Sequence, residues 1–199
     1  VTGGLFALDV ATTTGFACGM PGAQPSWGHF RSGKSGSASG EVLSAFALWL
    51  DERCAAWEPQ WILFEAPYIP RVVPARIRTA TGHIIATVPA ATPPINIHVL
   101  RRLIAMCGLV EMIAHEHRIR CREAASNVIC RHFTGRGSWG SRANKKAATQ
   151  KMCAVYGWPG VSEDEADALA LWVYAEAILF PKAGRSRGAG QLFVPAGQQ

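Results

Sequence analysis

The sequence predicts an α/β protein, a mixed sheet of five strands covered by helices on both faces. Three observations carry this. Two short runs, Leu5 to Ala11 and Trp61 to Glu65, have the near-continuous hydrophobicity of strands buried on both faces. Three strand signals come first with no helix between them, as antiparallel neighbours require. Beyond residue 40, helical and strand patterns alternate, as parallel strands joined by helical crossovers require.

Leu5-Phe-Ala-Leu-Asp9-Val-Ala11 is an apolar run broken by one acid, a central strand. Thr13-Thr14-Gly15 punctuates it, and Phe16 to Met20 is a second strand. Pro21 to Pro25 turns the chain into a third strand, Ser26 to Arg31. Gly and Ser dominate residues 32–40, a loop. Glu41 to Trp57 places Val42, Leu43, Phe46, Leu50 and Trp57 at helical spacing, and Glu58-Pro59 ends the helix. Trp61 to Glu65 is the next strand, stopped by Ala66-Pro67. Prolines at 67, 70, 74, 89, 93 and 94 make residues 67–95 an irregular, Pro-rich insertion around a weak helical stretch, Arg76 to Ala86. Asn96 to His117 aligns Leu100, Leu103, Ile104, Cys107, Val110, Ile113 and Ala114 on one stripe of a helix. Arg118 to Glu123 is the last strand and Ala125 to Phe133 a helix. Thr134 to Ser141 is a Gly-rich basic loop, Asn144 to Tyr156 a basic helix, and Glu163 to Leu179 an apolar helix opening with acids. Residues 1–181 form one domain, and 182–199, rich in Gly, Ala, Arg and Gln, a flexible tail.

The chain has 199 residues, 49% of them hydrophobic, enough for a core without staples and too many for a disordered chain. Its net charge is +6. Residues 1–99 hold 6 basic and 6 acidic residues, and residues 100–199 hold 14 and 8, so the whole excess lies in the second half. Such a half suits a polyanion-binding surface or an ordinary basic face. The six cysteines form no CxxC and read as small buried hydrophobes in a reducing compartment. His115 and His117 point to different sides of their helix, which argues against a metal site with Cys121. The apolar run Leu103 to Val110 is far short of the roughly 20 residues of a membrane span. With no leader pattern visible, the expectation is a soluble, cytoplasmic protein with no membrane association.

Chemistry enters through acids in apolar settings. Asp9 interrupts one buried strand and Glu65 ends another, and a buried carboxylate is costly unless paired or bound to a cation. Asp164 and Asp167 are three apart and share a helix face. Glu163, Asp164 and Glu165 also complement the helix dipole, whereas Asp167 runs straight into an apolar stretch. Carboxylates from two strands and a helix start suit Mg²⁺ or Mn²⁺, and a pair of such ions about 4 Å apart serves phosphodiester hydrolysis. Lys145, Lys146 and Lys151 on one helix, with Arg136 and Arg142 in the loop before it, form a phosphate-binding surface or a solvated basic face. Tyr68 and Trp139 are candidates to stack on bases, Trp139 equally to pack under its loop. Gly28-His-Phe-Arg-Ser-Gly33-Lys34-Ser35 fits the spacing of a nucleotide-binding P-loop, but it begins inside an antiparallel strand and does not run directly into a helix.

Asp9 followed by Thr14-Gly15-Phe16-Ala17, Glu65 closing a later strand, a Gly-rich loop before a lysine helix, and Asp164-x-x-Asp167-Ala-Leu-Ala occur in that order. Together they resemble the RuvC-type Holliday-junction resolvases of the ribonuclease H-like superfamily, over residues 5 to 179. Phe133-Thr-Gly-Arg-Gly137 looks closest to phage or prophage members. The resemblance implies a ribonuclease H-like sheet and a homodimer, with helix 96–117 as its seam. It implies binding of four-way DNA junctions and symmetric paired nicks in the cytoplasm of a bacterial cell or phage-infected host. It implies Asp9, Glu65, Asp164 and Asp167 as catalytic ligands of two Mg²⁺ or Mn²⁺ ions. Tyr68 matches an aromatic that inserts at the junction. Lys146, with Gln150 four residues on, or Lys145, matches a functional lysine, while Lys151 is added from charge. The 67–95 segment is longer than in compact members, and Glu163 or Glu165 could replace Asp164. Alternative readings are a nuclease on other branched DNA or RNA–DNA hybrids, and an ATP-binding protein of the actin and sugar-kinase group. That group's first phosphate loop resembles Leu8-Asp-Val-Ala-Thr-Thr-Thr-Gly15, but it needs a second repeat of the fold.

Overall fold

The computed structural model describes residues 3–67, 75–78, 84–88 and 96–184. Strands β1 (Leu5–Asp9), β2 (Thr13–Gly19) and β3 (Ser26–Arg31) form an antiparallel meander. Helix α1 (Ser39–Trp57) then crosses to β4 (Trp61–Glu65), which lies parallel to β1. Helix α2 (Ile97–Glu116) leads to β7 (Arg120–Ala124), parallel to β4. The five-stranded sheet has the order β3-β2-β1-β4-β7. Helices α3 (Ser126–Thr134), α4 (Arg142–Val155) and α5 (Glu163–Leu179) complete the chain order.

The central strands β1 and β4 are buried on both faces, and the pleat sorts their side chains. On β1, Phe6 and Leu8 join a core with Val42, Phe46 and Leu50 of α1 and Met106 and Val110 of α2. Leu5 and Ala7 point the other way, into a core with Ile129 and Phe133 of α3, Cys153 of α4 and Leu169 and Trp172 of α5. On β4, Ile62 and Phe64 follow the first set and Leu63 the second. This two-sided burial explains why β1 and β4 read as apolar runs rather than alternating ones.

Helix α5 starts at a capping box, in which the Ser162 hydroxyl accepts from Glu165 N–H and the Glu165 carboxylate accepts from Ser162 N–H. Buried Glu176 on its fourth turn accepts from the backbone N–H of Gly22 at 2.6 Å, tying the turn after β2 to the helix. All six cysteines are free, and five are buried. Burial pushes the thiols of Cys18 and Cys107 to about 11 and those of Cys54, Cys121 and Cys153 to about 12. His117 is paired with Asp51 at 2.7 Å rather than grouped with His115 and Cys121.

Two expectations need correction. Thr13, Thr14 and Gly15 do not punctuate the first two strands but belong to β2, while β1 ends at Asp9. Threonine is β-branched, and the Thr14 hydroxyl donates to Ala11 O at 2.7 Å, closing the tight turn just before it. The helical stretch expected over 76–86 is instead β5 (Ala75–Arg78) and β6 (Ile84–Val88), an antiparallel pair forming its own two-stranded sheet. Ile77, Ile84, Ile85, Thr87 and Val88 have strand-favouring branched side chains, and short apolar runs carry little periodicity of their own. The rest of the 68–95 segment, and residues 185–199 of the expected tail, lie outside the described residues.

Candidate active site

The parity of β1 and β4 decides where their acids point. Asp9 follows Leu5 and Ala7 by steps of two, and Glu65 follows Leu63, so both aim at the face covered by α5. The strands are adjacent and parallel with Leu8 opposite Phe64, which sets Asp9 and Glu65 side by side at the strands' carboxyl ends. Ligand sites of open α/β sheets form at this edge.

Helix α5 brings the other two acids. It lies along β2, with Asp164 over Gly15 and Trp172 against Gly19. Gly15 is the residue paired with Asp9 across β1 and β2. A Cβ on Gly15 would sit 1.9 Å from the carbonyl oxygen of Asp164, so only glycine lets the helix start rest on the sheet here. Asp164 and Asp167 therefore face Asp9 and Glu65 across one cavity of about 390 Å³. Arg142, Lys145 and Lys146 of α4 line the same cavity, as do Ser126 of α3 and Leu103 and Cys107 of α2.

The electrostatics follow from this crowding. Burial, then the carboxylates of Glu65, Asp167 and Asp164, push Asp9 well above the usual carboxylate range, against the pull of Lys145. Asp167 is also raised, by burial first, with Glu65 and Asp164 adding to it and Lys145 and Lys146 opposing. Lys145 Nζ donates to Ser126 Oγ at 2.9 Å and stands 3.9 Å from Asp167. Lys146 is ion-paired with Glu163. Glu165 is held below its usual range: burial acts upward, but the Ser162 N–H and His29, 3.0 Å away, outweigh it.

An all-oxygen set of mutually repelling carboxylates fits hard divalent cations. Among the described residues no three His, Cys, Asp or Glu side chains converge on one point, so the acids face a shared space rather than a closed cage. Asp9, Glu65, Asp164 and Asp167 are the residues that would hold such ions.

The expected basic surface divides in two. Arg142, Lys145 and Lys146 face the acids, whereas Arg136 and Lys151 line a separate concavity of about 720 Å³ with Asn144 and Trp139. The helix produces this split, because 144, 147, 148 and 151 share one side of α4. Trp139 packs under its loop: its indole N–H donates to Thr134 at 3.1 Å, and Arg136 lies over its ring. Gln150 donates to Val161 O at 3.1 Å, steadying the loop before α5. Glu163 and Glu165 have other partners and do not line the acid cavity. Tyr68 lies outside the described residues. Ser126, the close approach of α5 at Gly15 and the contribution of α2 to the cavity escaped sequence reasoning. Gly15 alone had a signal, an isolated glycine within a strand-forming stretch.

No protein-family model matches this chain, and no curated protein does. Solved structures do. Thermus thermophilus RuvC in complex with a Holliday junction substrate superposes with a TM-score of 0.58, at 11% identity, over 92% of this chain and 96% of that one. A second T. thermophilus RuvC structure gives 0.56 at 13% identity, over 91% and 96%. The yeast mitochondrial Holliday junction resolvase Ydc2 gives 0.52 at 11% identity, over 96% and 80%. The chain thus has the ribonuclease H-like fold seen in these resolvases, with its three antiparallel and two further parallel strands.

Proposed function

We propose that this protein is a metal-dependent, structure-selective DNA endonuclease that resolves four-way junctions by paired, symmetric nicks. One observation carries the reading: four carboxylates from two adjacent strand ends and one helix start meet in a cavity whose other wall is Arg142, Lys145 and Lys146. Asp9, Glu65, Asp164 and Asp167 would hold Mg²⁺ or Mn²⁺, which would supply charge neutralisation and water activation for phosphodiester hydrolysis. The remaining work belongs to the chain. Arg142 and Lys146 bind backbone phosphate, and Ser126 steers the Lys145 ammonium to the cavity wall beside Asp167. Arg136 and Lys151 extend the phosphate track beyond the cavity. Tyr68 follows cavity-lining Pro67 in the chain and is assigned to the junction's bases. None of these contacts reads sequence, so recognition rests on branch geometry.

Paired nicks need two sites, and α2 offers the seam of a homodimer. It exposes Ile97, Ile104 and Met112 while its Leu103 and Cys107 reach into the acid cavity. One helix thereby couples the dimer to the site. No helix among the described residues is long and apolar enough to cross a membrane.

The test offers labelled four-way junction, linear duplex and RNA–DNA hybrid to the protein with Mg²⁺, Mn²⁺ or EDTA. Symmetric, metal-dependent nicks in the junction are expected. Preferential cleavage of the hybrid or of another branch replaces the substrate, and no metal-dependent product on any of them ends the reading.

A further inference from the structure

The P-loop-like segment left over from the sequence has a place in the structure. Gly28 sits inside β3 against the ring of Phe16, so a strand-to-helix phosphate cradle is not built there. Lys34 instead lines a basin of about 490 Å³ together with Arg31, His98 and Arg102. Among the described residues, no acidic side chain lines this basin and no ion pair involves Arg31, Lys34 or Arg102.

The basin is held in shape. Buried Ser32 donates to Thr12 O from both its N–H, at 2.9 Å, and its hydroxyl, at 3.0 Å. Lys34 and Ser37 close a turn in which Ser37 N–H donates to Lys34 O at 3.2 Å. Gly36 takes the left-handed φ of +88° in that turn, with open space on its side-chain face. Arg102 donates to Ser37 O at 3.2 Å and so fixes the loop to α2. The basin also adjoins the acid cavity. Val10 and Ala11 of the β1–β2 turn line the cavity, and Thr12 and Thr13 line the basin. On α2, Leu103 faces the cavity, and Val99 and Arg102 face the basin.

We infer that this basin is a second DNA-backbone site, where Arg31 and Lys34 hold phosphates of the junction across the β1–β2 turn from the acids. The inference rests on the proposed nuclease reading and adds to it. DNA is then gripped from two sides, by α4 on one wall of the cavity and by the 31–36 loop next to the cavity.

The experiment measures junction affinity in EDTA as a function of salt for wild type and for the double variant R31Q/K34Q. R118Q/R120Q, beyond the far end of α2, removes the same charge as a control, and thermal unfolding confirms that both variants fold. Loss of two phosphate contacts lowers the slope of log affinity against log salt by about 2 and weakens binding tens of fold near 0.1 M salt. The control keeps most of the slope. If wild type binds and nicks junctions while R31Q/K34Q keeps the wild-type slope, the basin is refuted and the nuclease reading stands. If both double variants lose slope equally, the effect is net charge and the basin is again refuted. If wild type binds no DNA, both readings fall. ATP binding by wild type that R31Q/K34Q abolishes, with junction affinity unchanged, makes the basin a nucleotide pocket and overturns the inference.

Discussion

Gly15 sets the distance between the sheet and the helix carrying half of the proposed ligands, so Gly15→Ala is the sharpest perturbation. The added Cβ would lie 1.9 Å from Asp164 O and 2.5 Å from Asp164 C, where ordinary contact begins at 3.4 Å. The shortfall, 3.4 − 1.9 = 1.5 Å, is between backbone and a methyl carbon, so no rotamer change relieves it. Either α5 retreats from β2 or the strand bends. Overpacking of this kind costs about 1–3 kcal/mol, a fall of roughly 2–12 °C in Tm for a chain of this size. Displacement of catalytic groups by about 1 Å costs on the order of 100-fold in rate. The expected result is nicking of a labelled four-way junction reduced at least 100-fold, with junction binding in EDTA retained, because Arg142, Lys145 and Lys146 stay on α4, which Ser126 of α3 also holds through Lys145. Gly40→Ala is the control. Nothing lies within 4 Å of its side-chain position in α1, and alanine there stabilises the helix by about 0.5–1 kcal/mol. If Gly15→Ala nicks at the wild-type rate and unfolds at the wild-type temperature, α5 does not rest on β2 as described.

Four further outcomes are expected. Asp9→Asn abolishes nicking yet keeps junction binding in EDTA, and it raises the metal-free Tm because it removes a crowded negative charge; full activity would exclude Asp9 as a ligand. Lys145→Gln lowers nicking more than binding, since Lys145 stands beside Asp167, whereas Lys151→Gln weakens binding alone; equal effects would reject the two-surface division. Ile104→Lys with Met112→Lys converts a dimer to a monomer in sedimentation, and a wild-type monomer at tens of micromolar would dismiss the α2 seam. Followed by thiolate absorbance, the thiols of Cys18, Cys54, Cys107, Cys121 and Cys153 ionise in the native protein only toward pH 11 to 12, while unfolded thiols ionise near 8.5. The unfolded state therefore loses protons first, and these cysteines subtract stability as pH climbs above about 8.5. A native thiolate midpoint near 8.5 would contradict their burial.

Much of this was legible in the chain. The buried strands were visible because burial on both faces removes alternation, and Asp9 stood out against that background. Helix α5 was legible from the acids that open it and the apolar run that follows. The hairpin within 67–95 was not legible, because four- and five-residue strands leave helix and strand periods indistinguishable. The separation of Arg136 and Lys151 from Lys145 and Lys146 follows α-helical geometry, but which side of α4 meets the acids depends on its packing against α3 and α5.

By itself, then, the sequence determined the elements of the five-stranded sheet, their order and the candidate acids, since hydrophobic period and a buried charge are local properties. Tertiary structure alone decided that the acids share one cavity and that α5 reaches them through Gly15. It also decided that Arg31, Lys34 and Arg102, up to 71 positions apart, line one basin. Those facts depend on strand register, helix contact and loop anchoring, which arise only when distant segments pack.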